Sequence, residues 1–251
     1  MFQYKLKENS MANRLIINFS QETVEVLNKG NYSLCCFLAS RSRNVSQFRP
    51  LCWSVTKNFL RSVLIEWEYN LSGYISTSEI TENQTIYIPQ PQSESPASSS
   101  TSRRSIGGTN YKIELKQRLL IQDFGGLSVD TKNDNPTVLI QNESGTEYAT
   151  GICVHNTNDN RYYGSCTFRI FGRQNIEVTP DNKAFLMFSD NNPQNNTVML
   201  ISESPGILID FDLMNDSRIV TFDVDQGWSS NDEVWGIKYP AGTNLQTLLV
   251  S

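Results

Sequence analysis

The sequence predicts an all-β protein: an antiparallel β-sandwich with one short helix and one long mobile inserted loop, a β-barrel being the alternative architecture. Three observations lead there. Apolar residues alternate with charged ones in short runs: Ile65, Trp67 and Tyr69 with Glu66 and Glu68; Ile209, Phe211 and Leu213 with Asp210 and Asp212; Phe222 and Val224 with Asp223 and Asp225. Period-two alternation puts one set of side chains on each face of a half-buried strand. The second half of the chain is cut into short segments by turn clusters, Asn133-Asp134-Asn135-Pro136, Asn142-Glu143-Ser144-Gly145, Asn156 to Asn160, Asp190 to Asn196 and Met214 to Ser217. No repeat of fixed period occurs, which argues against a propeller.

In chain order, residues 1–12 read as a frayed terminus, with Met11 a possible second start. A strand is expected at about 13–19. Residues 20–30 carry an N-cap serine, acidic residues in the first turn and a closing glycine, the signals of a short helix. Tyr32 to Ala39 is apolar and aromatic, Leu51 to Thr56 reads as a strand entered through Pro50, and Val63 to Tyr69 is the clearest strand of the first half. From about 89 to 108 the chain turns to Pro, Gln, Ser and Gly with almost nothing to bury, too little to offset its ordering entropy. An interdomain linker and an inserted loop both fit this segment. The first half alone supplies few strands, so residues 13–251 are read as one domain with the loop inserted. Ile207 to Asp225 is expected to form a hairpin turning on Asn215-Asp216 and pairing Phe211 with Val220, Ile209 with Phe222 and Ile207 with Val224.

A net charge of −5 and a pI near 5.0 describe an acidic chain, which counts against a nucleic-acid partner. No apolar stretch reaches the ~20 residues of a transmembrane helix, and Leu15-Ile16-Ile17 is too short for a secretory core of about 7–15. The expected location is therefore cytoplasmic, or outside the cell by a route with no cleaved signal peptide. The Asn-x-Ser/Thr triplets at Asn18, Asn31, Asn44, Asn70, Asn83, Asn142, Asn195 and Asn215 read as products of an Asn- and Ser-rich composition. Five cysteines, with no C-x-x-C pair, read as buried small hydrophobes. Cys153 and Cys166 are expected to be cross-strand neighbours, as free thiols, if their hairpin is centred on Asp159-Asn160.

Few residues suggest chemistry. The single histidine, His155, cannot complete a Cys/His zinc set, and neither Ser165 nor Cys153 lies in a nucleophile-elbow pattern. No cofactor and no metal are expected. Asp210, Asp212, Asp223 and Asp225, on two strands taken as adjacent, read as a solvated face. A calcium loop fails because Gly227 and Val234 stand where ligands belong, while paired carboxylates of a glycosidase stay open as an alternative. Trp53, Trp67, Tyr69 and Tyr74 form an aromatic-rich stretch, of which Trp67 and Tyr69 share a face with Ile65 and read as core.

Trp228 and Trp235 flank Ser229-Ser230-Asn231-Asp232-Glu233, whose polar composition predicts an exposed loop, so Trp228, Asn231, Asp232 and Trp235 are the candidate ligand-binding residues. The aromatic spacing through Tyr74, with Lys183-Ala184-Phe185-Leu186-Met187-Phe188-Ser189, resembles a group of uncharacterised microbial β-rich proteins. That resemblance implies no activity. The expected function is a non-enzymatic, lectin-like binding protein whose partner is carbohydrate or another surface ligand. A membrane-active cytolysin and a glycosidase are the alternatives, and a homo-oligomer is compatible with each.

Overall fold

The structure is a computed structural model and describes residues 12–43, 48–91, 107–212 and 217–249. The described residues are 53% strand and 8% helix, an all-β fold. The strands before residue 92 are β1 (Asn13–Phe19), β2 (Ser33–Ser42), β3 (Arg49–Cys52), β4 (Ser54–Thr56) and β5 (Ser62–Ser76). After residue 106 come β6 (Gly108–Ile113), β7 (Arg118–Ile121), β8 (Leu127–Asp130), β9 (Val138–Asn142), β10 (Tyr148–Asn156), β11 (Arg161–Gly164) and β12 (Cys166–Ile170). The series ends with β13 (Asn175–Ser189), β14 (Thr197–Val198), β15 (Gly206–Asp210), β16 (Ser217–Asp223), β17 (Gly227–Ser229) and β18 (Gly236–Tyr239).

Two sheets result. The ten-stranded sheet runs β14-β3-β12-β10-β5-β1-β16-β17, with β6 beside β5 and β11 beside β10. The eight-stranded sheet runs β18-β15-β13-β9-β7-β8, with β2 along the other edge of β13 and β4 beside β2. Both are mixed. β1 pairs in parallel with β16, and β7 with β9, which corrects the expectation of purely antiparallel sheets. Alternation reports which face a residue occupies; it carries no information on the direction of the neighbouring strand.

Helix α1 (Gln21–Lys29) forms where its local signals stand. The Ser20 hydroxyl accepts from the Thr23 amide at 3.1 Å, Gly30 closes the last turn, and Leu27 is buried. A second helix, α2 (Leu245–Leu249), has no counterpart in the sequence reading. The main core lies between the sheets and includes Leu15, Ile17, Trp67 and Ile152 together with Ile140, Leu186 and Ile209. A second cluster, Cys35, Phe37, Phe185 and Met187, is joined by Leu245 and Leu249 of α2, so β2 and β13 are buried on both faces. The Leu51–Thr56 segment is two strands, broken at Trp53, whose indole is fully buried and donates to the Val154 carbonyl at 3.1 Å.

The expected hairpin of 207–225 is wrong. β15 pairs with β13 and β18 in one sheet, while β16 pairs with β1 and β17 in the other. The apolar faces of both strands do meet the common core, but from opposite sheets, because period-two alternation sets the buried face and leaves the partner strand open. The proposed turn at Asn215-Asp216 lies outside the described residues.

The Cys153–Cys166 register also needs correction. Cys153 stands opposite Gly164, Ser165 donates its amide to Ile152 and shifts the ladder, and Cys166 pairs with Pro50. All five cysteines are free and buried. Of the expected loop at 89–108, residues 92–106 lie outside the described residues. Its flanks meet on the ten-stranded sheet, where the Asn110 amide donates to the Pro89 carbonyl at 2.9 Å. Among the described residues no helix is long and apolar enough to cross a membrane.

Candidate functional site

The two tryptophans singled out by sequence are used in packing. β16 and β17 form a hairpin that sets Phe222 opposite Trp228, and the Trp228 indole, 2% exposed, lies nearly parallel to Phe188 with centroids 5.4 Å apart. Its Nε1 donates to the Pro205 carbonyl at 3.1 Å. Placing Trp228 in an exposed loop is thus corrected: one residue after a left-handed Gly227 (φ 75°), the ring turns inward. Trp235 is half-buried, with the Arg218 guanidinium 5.2 Å above its ring. Asn231 and Asp232 are exposed, with φ near 56° and 61°, and the Asn231 amide donates to Ser229 Oγ. The four residues therefore divide between core and solvent.

The four aspartates are not on adjacent strands either. Asp210 ends β15 and accepts from the Asp212 amide, and Asp212 accepts from Asn182 Nδ2 at 2.7 Å. Asp223, in the other sheet, accepts from the amides of Asp225 and Gln226 and lies within 3.4 Å of the Ser20 and Thr23 hydroxyls at the start of α1. Those bonds hold its carboxyl below the usual carboxylate range. His155 contacts Asn160 Oδ1 at 2.9 Å and Glu68 Oε2 at 3.7 Å, with the Tyr162 ring at 4.9 Å. Burial raises the Cys153 thiol strongly and Cys166 to about 11, so both are thiols at neutral pH. Among the described residues no three His, Cys, Asp or Glu side chains are grouped to hold a metal.

A concavity of about 410 Å³ lies elsewhere, where the end of β9 meets the start of β13. It is lined by Gln141, Asn142, Glu143, Arg173, Gln174 and Asn175. Antiparallel pairing of Asn175 with Gln141 brings the two segments together. Asn142 holds them there. Fully buried, it donates to the Thr146 and Phe171 carbonyls and accepts from Ser144 Oγ at 2.7 Å and from the Ser144 amide at 3.0 Å. With both amide atoms engaged, Asn142 has no room for a glycan in the folded chain.

Around that anchor the side chains are ordered in a row. Arg118 on β7 grips Asp130 on β8 through two hydrogen bonds and donates its Nη1 to Gln141 Oε1 at 2.9 Å. Gln141 Nε2 in turn donates to Glu143 Oε1 at 3.0 Å. The Arg118 bonds hold the Asp130 carboxyl below its ordinary range. Arg173, at φ 63°, is exposed and projects from the 171–174 turn. Phe171 opens that turn and is 47% exposed; Phe124, at φ 60° and 77% exposed, sits in the loop whose neighbour Ile121 accepts from the Glu143 amide. A phenylalanine in the left-handed region is costly, and such strain collects at binding sites.

Residues 142–145 form a turn, as their composition predicts, while nothing in 171–175 marks that segment in the sequence. The two turns lie about thirty residues apart and are ordinary in composition; their meeting depends on the β9–β13 register. Compared with protein-family models, curated proteins and solved structures, the chain matches none.

Proposed function

We propose that this sandwich-like β protein is a carbohydrate-binding protein whose saccharide sits in the concavity of Gln141, Glu143, Arg173, Gln174 and Asn175. The observation that carries the reading is the lining itself. Every side chain that lines the hollow is an amide, a carboxylate or a guanidinium, and the volume suits a small ligand. A hydroxyl-rich molecule is what such a set of donors and acceptors can satisfy, since each hydroxyl both gives and accepts a hydrogen bond. The exposed ring of Phe171, at the start of the turn that carries Arg173 and Gln174, adds a face on which sugar C–H groups pack. This moves the ligand away from the Trp228–Trp235 loop, whose rings are spent on Phe188, Phe222 and Arg218.

The test is a glycan array with the intact chain, followed by Arg173→Ala and Phe171→Ala. Binding that free sugar competes away, and that each substitution weakens at an unchanged melting temperature, supports the reading. Full binding by both variants would overturn it.

A further inference from the structure

The row of hydrogen bonds leading into the concavity points to the group on the sugar that is held. An amide side chain can present either its oxygen or its nitrogen, and Arg118 removes that choice for Gln141. The guanidinium has only donors, so Gln141 must turn its oxygen toward Arg118 at 2.9 Å and its nitrogen toward Glu143 at 3.0 Å. Arg118 is itself fixed by the paired bonds to Asp130, its direct cross-strand partner. The series Asp130, Arg118, Gln141, Glu143 thus passes from β8 through β7 to the end of β9 and aligns one carboxylate at the hollow. An ionised carboxylate only accepts hydrogen bonds and has about four lone-pair directions, of which Gln141 takes one.

Resting on the proposed carbohydrate site, we infer that Glu143 anchors a neutral sugar through two adjacent hydroxyls, with Arg118 and Gln141 as positioning residues. Two hydroxyl donors on neighbouring carbons match the two oxygens of one carboxylate, and each such bond is charge-assisted. Arg173 borders the same hollow, and a guanidinium also favours a sugar acid; the carboxylate fixed by the row opposes one. The two possibilities separate experimentally.

The experiment follows backbone amide signals of residues 141–143 and 173–175 by NMR while the intact chain is titrated with methyl α-mannoside, methyl β-galactoside, methyl α-fucoside and, in a separate arm, glucuronic acid. At least one neutral glycoside is expected to move these signals, and glucuronic acid to bind at least fivefold more weakly. Glu143→Gln, an exposed and nearly isosteric change, is expected to weaken the neutral sugar about tenfold. Arg118→Met should weaken it about threefold or more, because Gln141 regains its second orientation; thermal melting of each variant shows that the fold persists. If no sugar moves these signals, or sugars move only others, the carbohydrate reading itself fails. If a sugar binds here but glucuronic acid binds as well, or Glu143→Gln binds as tightly as the parent, the anchoring inference fails while the site stands.

Discussion

Replacing Trp228 by alanine tests whether that ring belongs to the core. The indole is 2% exposed, lies against Phe188 with its centroid 5.4 Å away, packs on Phe222 at 4.9 Å, and donates to the Pro205 carbonyl. Burying an aromatic side chain removes about 150–250 Å² from water, worth ~4–6 kcal/mol at about 25 cal/mol per Å². The alanine methyl and partial collapse of the hole recover part of this, and measured Trp→Ala losses in cores run about 3–5 kcal/mol. For a chain of this size each kcal/mol moves the melting temperature by about 2–4 °C, so a fall of roughly 6–20 °C is expected. Calorimetry and urea denaturation of Trp228→Ala and Trp228→Phe measure it. The phenylalanine variant keeps the aromatic cluster and loses the bond to Pro205, so it should fall between parent and alanine. An alanine variant within about 1 kcal/mol of the parent would refute the packing and return Trp228 to the list of surface binding residues.

Gly151 in β10 leaves no space for a methyl group, since an added Cβ would lie 2.2 Å from the Cys166 carbonyl oxygen. Gly151→Ala should cost about 2–3 kcal/mol in urea denaturation, and an unchanged midpoint would contradict the β10–β12 contact. Asp130 is held below its unfolded value of about 3.9, so its contribution is present above that pH and lost as pH falls through the lower folded value; Asp130→Asn should therefore flatten the loss of stability between pH 5 and pH 2. All five cysteines are buried, and burial raises the thiols of Cys36, Cys52, Cys153 and Cys166, so Ellman's reagent at pH 8 should find no fast-reacting thiol in the native chain and five in guanidinium. The same shifts mean that folded thiols keep protons that unfolded ones release, so melting temperature should decline as pH rises past about 8.5. After proteolysis at Arg103-Arg104 the fragments are expected to stay together and melt in one transition, because β5 pairs with both β6 and β10; two fragments that separate and each stay folded would show two domains.

Local signals were legible and distant pairings were not. Ser20, Glu22 and Gly30 mark α1 from within ten residues, and alternation through Ile65, Trp67 and Tyr69 marks β5, because both depend on neighbours along the chain. The same alternation placed Ile209 and Phe222 correctly on buried or half-buried faces, yet assigned them to one hairpin. Each strand joins a partner far away in sequence, Phe185 to Leu208 and Phe19 to Phe222, and period-two patterning cannot choose among equally apolar partners. For Trp228 a usable signal was present. Gly227 follows Asp225-Gln226 as the left-handed residue of a tight hairpin, which sets Trp228 opposite Phe222. Nothing comparable identified Glu143 and Arg173. Their turns are ordinary in composition, and only the β9–β13 register, with Asn142 fastening both loops, makes them one surface.

The most direct measurement is a crystal structure of the intact chain soaked in the neutral glycoside that binds best on the array. Sugar density over Gln141, Glu143, Arg173 and Asn175, with two adjacent hydroxyls on the Glu143 carboxylate, is the predicted result. Density against Asn231, Asp232 and Trp235 instead, with the β9–β13 concavity empty, would contradict it.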